Sequence, residues 1–419
     1  MNTLQDISLL VTDGKHGDCQ DEEGSGFYFV SCKDVRDGWI DYSGARQITE
    51  ADYLDTHRRT QLEINDIVIT NSGTIGRMAL VPNAPETNRT TFQKSVAIVK
   101  PNQEKVVPQW LYYSLMANRD VLIGWSGGTA QKNLLLRDMR AFNVDVPPLP
   151  TQRKIAAILS AYDDLIENNL RRIKVLEEIA QNLYREWFVK YRFPGHQHAR
   201  FIDSPLGPIP EGWEVQGAME NKNWSFIHQS IGPYEGVKRY YATADIDGIT
   251  ITGDGIEYTY SQKPSRAQKQ PLLNSVWFAR MQETYKVLAV TKPNAILTTN
   301  STLSSGFAGF EAPDGDSFAF LFLTIKSKEF HSEKDRYCTG ATQRSLTNDG
   351  LSRILTISPP REIVQHFGRV AMSFVELILA LQQRSQTLHR TRDLLLPRLI
   401  SGEVDVSELD IAVPEEALT

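Results

Sequence analysis

Cysteine is scarce in this chain. Cys19, Cys32 and Cys338 stand far apart and are odd in number, and no CxxC pair occurs. That excludes a disulfide framework and the usual zinc-ribbon spacings, and it fits reduced thiols in a cytoplasmic protein. Positive charge is not in excess either. With 45 Lys and Arg against 51 Asp and Glu, the formal net charge is −6. Any nucleic-acid binding must then use local basic faces, or a partner must supply much of the phosphate affinity. The opening MNTLQDISLL has no basic segment followed by a long apolar one, so no secretory signal is expected, and no apolar run reads as a membrane span. Also missing are GxxxxGK[ST], a GxGxxG after a strand and HExxH, and with them several common catalytic signatures. Neither Pro-Pro pair is preceded by Asn or Asp, as the tetrapeptide of amino-methyltransferases requires: Val146 precedes one and Ser358 the other. His196 and His198 lie in a Gly/Pro-bounded linker with no Cys or carboxylate beside them, a poor metal pair. Asp163 and Asp164 read as the solvated face of a helix rather than an acid/base pair.

What the chain does have is a long apolar seam. From Pro147 to Trp187 no Gly or Pro interrupts the chain after Pro150. Ile155, Leu159, Tyr162, Ile166, Asn169, Ile173, Leu176, Ala180, Leu183 and Trp187 recur at alternating steps of four and three. This is coiled-coil spacing, and so many large apolar groups need a partner helix. The partner emerges when the chain is laid on itself at an offset of 212 residues. Gly128 then meets Gly340, Gln131 meets Gln343, Lys132 meets Arg344, and Pro147-Pro148 meets Pro359-Pro360. The seam maps onto Phe367, Ala371, Phe374, Ile378, Leu381, Ser385, Leu388, Arg392, Leu395 and Leu399, so the register is kept. A large domain has been duplicated, which differs from a short solenoid repeat.

Five segments result: a mixed α/β module over 1–146, a spacer helix over 147–190, a linker and second module over 191–358, a second spacer helix over 359–400 and an acidic tail over 401–419. In the first module β-type runs fall at 26–31, 67–70, 78–81 and 95–99, with a helix over 108–123. In the second they fall at 239–244, 275–278, 287–290 and 318–325, with a helix near 328–337. The expected fold is α/β (α+β): two mixed modules joined by two long antiparallel helices in an intramolecular coiled coil, with pseudo-twofold symmetry. A helix of about 36 residues spans roughly 54 Å. Two readers on such a spacer would fit DNA half-sites roughly 10 to 15 base pairs apart at about 3.4 Å per pair. Asn169 and Arg392 are the polar intruders in the seam; the first would fix register, or else face a protein partner or water, and the second would snorkel near a helix end.

Several stretches carry a resemblance. PPLPTQRKIAAIL from Pro147, then DDLIENN from Asp163 and LYREWF ending at Phe188, look like the central region of type I restriction-modification specificity subunits. GPIPEGW from Gly207 resembles the opening of their second target recognition domain, and LLLPRLISGEVD from Leu394 their C-terminal region. ITNSGTIGRMAL from Ile69 is similar to a segment common in their recognition domains. The first module lacks a Gly-Trp opening, so its first strand is expected to be shorter. The resemblance implies a cytoplasmic, non-catalytic subunit that binds double-stranded DNA, each recognition domain reading half of a bipartite asymmetric target. It implies two methylation subunits that carry S-adenosylmethionine and extrude and methylate adenine. It also implies two restriction/translocation subunits that use ATP and Mg. The chain itself would hold no cofactor or metal. The rival reading is a non-catalytic protein-binding adaptor on a coiled coil.

Base edges are read by Arg, Lys, Asn and Gln, and phosphates by Ser, Thr and backbone N–H groups as well. The first-module candidates are Arg58 and Arg59 (beside His57), Ser72, Thr74 and Arg77 in one turn, Arg89, Lys94, and Gln131 with Lys132. Those of the second are Lys263, Arg266, Gln268 and Lys269 in one basic turn, then Arg280, Gln282, Lys286, Gln343 and Arg344. Exposed loops are often basic and polar without binding anything. The paired Gln-basic loops would equally serve as caps at the entry to each long helix.

Overall fold

The computed structural model describes residues 2–127 and 133–413. The chain divides into two compact units, Met1–Asp164 with His389–Thr419, and Leu165–Leu388.

In the first unit four antiparallel strands lie in the order Ser8–Asp13, Val96–Pro101, Ile67–Thr70, Met78–Leu80. Strand residues alternate between faces. Ile67 and Ile69 accordingly join Trp110 and Leu111 on one side, while Val68 joins Phe92 and Ile98 on the other. A second sheet holds Arg46–Gln47, Tyr28–Val30 and Thr90–Phe92, the last two strands parallel. The helix expected over 108–123 is two helices, Pro108–Ala117 and Arg119–Gly124, broken at Asn118. The Ser8–Asp13 strand is an edge, and its carbonyls are covered by guanidinium groups. Arg140 donates to Val11 at 2.6 Å and Arg59 to Asp13 at 2.9 Å. This blunts a strand that could otherwise pair with another chain.

The second unit repeats the plan. One antiparallel sheet runs Ser225–Phe226, Phe307–Glu311, Ser275–Ala279, Val287–Val290. The other runs Ile256–Thr259, Val237–Tyr241, Ser301–Ser304, Ala267–Lys269, with the middle two strands parallel. Each unit also pairs its opening strand with the strand that leads into a long helix. Asn2–Thr3 pairs with Asn143–Val144, and Glu214–Gly217 with Leu355–Ser358. The first opening strand has 2 residues and the second has 4.

The strand expected over 318–325 is instead the helix Gly315–Lys326. Every residue from Ser317 to Ile325 is buried. A helix apolar all round has the composition of a buried strand, so periodicity could not separate them. Asp314 starts this helix by accepting the Ser317 N–H at 2.7 Å.

The long helices are Leu149–Tyr184 and Arg361–Ile400. They run antiparallel in each unit. In the first unit Ile155 and Leu159 share a core with Leu396 and Leu399. In the second, Ile173, Ala180 and Trp187 share a core with Phe367, Ala371 and Ile378. A π-helical turn, Arg185–Val189, ends the first helix and buries both Trp187 and Phe188; the Phe188 ring lies 4.8 Å from that of Phe367. Asp163 is not on a solvated face: it accepts the Tyr113 hydroxyl at 2.6 Å and pairs with Arg392. Arg392 thus enters the seam with a counter-charge rather than snorkelling out. Asn169 is buried with no partner for its amide nitrogen.

The Arg361–Ile400 helix contains an 18-residue window of mean hydropathy 1.4, so by length and composition it is apolar enough to cross a membrane. Its apolar residues Val364, Phe367, Ala371, Val375 and Ile378 lie in the core of the second unit. The segment after Ile400 is not a free tail through residue 413. Val406 is buried in the first unit, and Lys154 donates to the Ser407 carbonyl at 2.6 Å.

Candidate nucleic-acid interface

The Ile67–Thr70 and Met78–Leu80 hairpin is closed by residues 71–77. The Gly76 N–H donates to the Thr70 carbonyl at 2.8 Å, and the Arg77 N–H to the Thr70 hydroxyl at 2.9 Å. Gly73 and Gly76 have φ of +73° and +88°, and a Cβ would sit 2.8 Å from Cys32 Sγ at the first and 2.6 Å from Ile123 at the second. Both positions therefore require glycine. The Asn71 N–H donates to the Ser95 carbonyl at 3.0 Å, and the Ser95 hydroxyl accepts the Cys32 N–H at 3.1 Å. These bonds bring half-buried Ser72 and exposed Thr74 to one rim with exposed Lys94. Ser72 bridges to Asn133 across that rim. Gln131 and Lys132 lie outside the described residues.

The other first-unit candidates each have a contact within the protein, while Arg58, Arg59 and Arg89 remain exposed. Arg77 faces the Val35 carbonyl at 3.5 Å. Arg58 pairs with Asp55 at 3.0 Å on its own helix. Arg59 caps the sheet edge through the carbonyls of Asp13 and Gly14. Arg89 lies over the Phe27 ring at 5.8 Å. His57 stacks on Tyr53, and burial pushes its imidazole below the ordinary value.

In the second unit the equivalent hairpin, Ser275–Ala279 with Val287–Val290, is closed by residues 280–286. Candidates far apart in sequence meet here. The Arg280 N–H donates to the Gly306 carbonyl at 2.9 Å, the Ser305 N–H to the Arg266 carbonyl at 2.8 Å, and the Gln282 N–H to the Arg344 carbonyl at 3.0 Å. Around this frame Arg266 and Gln343 are exposed, and Gln282 is half-buried. Arg266 and Gln282 have no side-chain hydrogen bond among the described residues. Burial, and then the nearby Arg280, depress the Lys269 ammonium.

Several second-unit candidates brace the frame. Arg280 donates to the Leu346 carbonyl at 2.9 Å and to Asn348 at 2.7 Å. Lys286 donates to the Thr243 carbonyl at 2.9 Å, and Arg344 to that of Cys338 at 3.0 Å. Lys263 donates to the Ala267 carbonyl at 3.1 Å, and Gln268 to that of Ser265 at 3.0 Å. Sequence reading missed Lys334 and Asp335, which lie beneath the 280–286 loop. The overlooked signal is periodicity: Lys334 stands four residues from both Phe330 and Cys338, and all three are buried. Among the described residues no cluster of His, Cys, Asp and Glu is disposed to hold a metal. His196 hydrogen-bonds to the Phe193 carbonyl at 2.9 Å.

A family profile described as type I restriction modification DNA specificity domain matches residues 18–178. A Methanocaldococcus jannaschii protein named type I restriction enzyme MjaIX specificity subunit is 26% identical, over 87% of this chain and 83% of its own. The HindI specificity subunit of Haemophilus influenzae is 21% identical, over 78% of this chain and 84% of its own. Among solved structures, the type I restriction-modification S subunit from M. genitalium covers 95% of each chain, with a TM-score of 0.55 at 12% identity.

Proposed function

We propose, on the premise that the chain belongs to the type I restriction-modification DNA specificity subunits, that each unit reads one half of a bipartite, asymmetric DNA target. The protein selects the site and leaves the chemistry to partners. The observation that carries this reading is one sheet plan occurring twice with unlike loops at the same hairpin. The 71–77 loop offers Ser72 and Thr74, whereas the 280–286 loop offers Gln282 beside Arg266 and Gln343. Equivalent frames with different side chains would read different half-sites.

The long helices, in this reading, set the gap between half-sites and carry the partners. Leu170, Val175 and Ile179 are 54%, 54% and 44% exposed on the Leu149–Tyr184 helix. Such groups on an otherwise paired helix support a protein partner on its outer face. The partners proposed are two methylation subunits bearing S-adenosylmethionine and two restriction subunits using ATP and Mg. The test is to express the chain with its methylation subunit and sequence the modified adenines. Two unlike half-sites with a fixed gap are expected. A single continuous motif, or methylation without a motif, would overturn the reading.

A further inference from the structure

The second unit buries a lysine completely. Lys334 has no exposed surface, on the helix Lys328–Arg336. A buried ammonium is costly unless its protons find acceptors. Here the Met281 carbonyl accepts at 2.8 Å, the Thr284 carbonyl at 2.9 Å and the Asp335 carboxylate at 2.9 Å. Asp335 in turn accepts the Glu283 N–H at 2.9 Å and faces the Tyr285 hydroxyl at 3.4 Å. The Tyr285 ring lies 5.6 Å from the ammonium. Among the described residues, every group that these two side chains hydrogen-bond, apart from each other, belongs to residues 281–285.

The loop so gripped is strained and doubly anchored. Glu283 is held at φ +55°, a conformation bulky L residues rarely adopt. On its other side Met281 bridges to Ser345, and the Gln282 N–H donates to the Arg344 carbonyl at 3.0 Å. Replacing a shielded ion pair by apolar residues of similar volume is often neutral or stabilising, so the pair is weak evidence for a role in stability alone. The pair's effect is to hold one short loop in one geometry. That loop closes the hairpin equivalent to 71–77, and it carries Gln282, whose carboxamide has no protein partner among the described residues.

We propose that Lys334 and Asp335 are positioning residues for sequence reading: from beneath, they lock the 281–285 loop so that the Gln282 carboxamide meets an adenine edge in one orientation. Gln pairs bidentately with adenine N6 and N7, and such a pair discriminates only when both bonds form together. A loosely held carboxamide would accept other bases through single bonds. Specificity in the second unit then depends on two side chains that never touch DNA. This rests on the reading of that unit as a DNA reader.

The experiment is methylome sequencing of cells expressing the chain with its methylation subunit, comparing wild type with Gln282→Ala, Asp335→Ala, Lys334→Met and Gln282→Ala/Asp335→Ala. Gln282→Ala is expected to relax one position of one half-site by about tenfold. Asp335→Ala and Lys334→Met should relax that same position, and the double variant should relax it no further. Asp335→Ala leaves both Lys334 carbonyl bonds in place, so it carries the test even if Lys334→Met does not accumulate. Relaxation by Gln282→Ala with full stringency in Asp335→Ala overturns the positioning role and leaves the second unit a DNA reader. Weaker methylation at every site with no relaxed position shows a merely structural role, which also overturns it. No change in Gln282→Ala overturns the assignment of that side chain. A wild-type methylome without a bipartite motif sinks the underlying reading itself.

Discussion

The contact between Asp163 and Arg392 gives a quantitative test of how the first unit holds its helices together. Both side chains are partly shielded, with 33% and 18% exposure. Asp163 also accepts the Tyr113 hydroxyl, and Arg392 also donates to Asp393 at 2.8 Å. Breaking a fully buried pair costs about 3–5 kcal/mol, and an exposed pair contributes less than about 1 kcal/mol. This site lies between those limits. Asp163→Ala strands the Tyr113 hydroxyl and leaves Arg392 with Asp393 alone, so a loss of about 2–3 kcal/mol is expected. Arg392→Met leaves Asp163 with only Tyr113, and about 2 kcal/mol should be lost. The double variant Asp163→Ala/Arg392→Met should fall short of the sum by about 1–2 kcal/mol, since neither charge is then left alone. Urea unfolding, read from midpoints at constant slope, measures all three, with the exposed Glu167→Ala as control. Single losses below about 0.5 kcal/mol, or strict additivity, would refute the claim that this pair closes the seam.

Replacing Arg266 and Lys269 together with Ala should weaken binding to the cognate site by about tenfold, as measured by titration at physiological salt; unchanged affinity would remove that turn from the interface. Inserting four residues, about one helical turn, into both long helices should lengthen the unread gap of the target, which methylome sequencing reports directly. Asn169→Leu should raise stability by about 1 kcal/mol by removing an amide nitrogen buried without a partner, as a shift in the urea midpoint would show. Burial, reinforced by Lys334 and Lys326 and opposed by Asp335, holds the His331 imidazole at about 4 against an ordinary 6.5. The unfolded chain therefore takes up a proton first, and stability present above 6.5 is lost as pH falls through that window; about 2 kcal/mol should disappear between pH 7 and pH 5 in the wild type but not in His331→Phe.

The parts of this fold legible in the sequence are those governed by periodicity. The four-and-three spacing marked Ile155, Ile173 and Ala180 on one helix and Phe367 and Ile378 on the other, and all are buried. Local composition failed where it is ambiguous. Phe318 to Ile325 has a strand's residues, yet the 212-residue offset sets Pro108–Ala117, a helix, opposite 320–329. The repeat therefore held the answer that the local window concealed. Individual candidates were the least legible. Arg59, Lys286 and Arg344 carry donors suited equally to phosphate and to a carbonyl of their own chain, and the structure shows the second use. Lys334 was hidden because a charged residue at a core position reads as solvated until its acceptors are located.

The arginine caps on the Ser8–Asp13 edge belong to a wider habit of this chain, with a thermodynamic consequence. Arg59, Arg140, Lys263, Lys286, Lys334 and Arg344 all donate to main-chain carbonyls. A shielded cation, as Arg140, Lys263, Lys286 and Lys334 are here, does not displace the ions condensed on a duplex, and each phosphate neutralised contributes about 0.9 to the slope of log affinity against log salt. On the proposed reading of the chain as a DNA-binding subunit, the slope for the chain alone should therefore report outward cations such as Lys94 and Arg266 rather than its full count of 45 Lys and Arg, and it should steepen when the proposed partners add theirs.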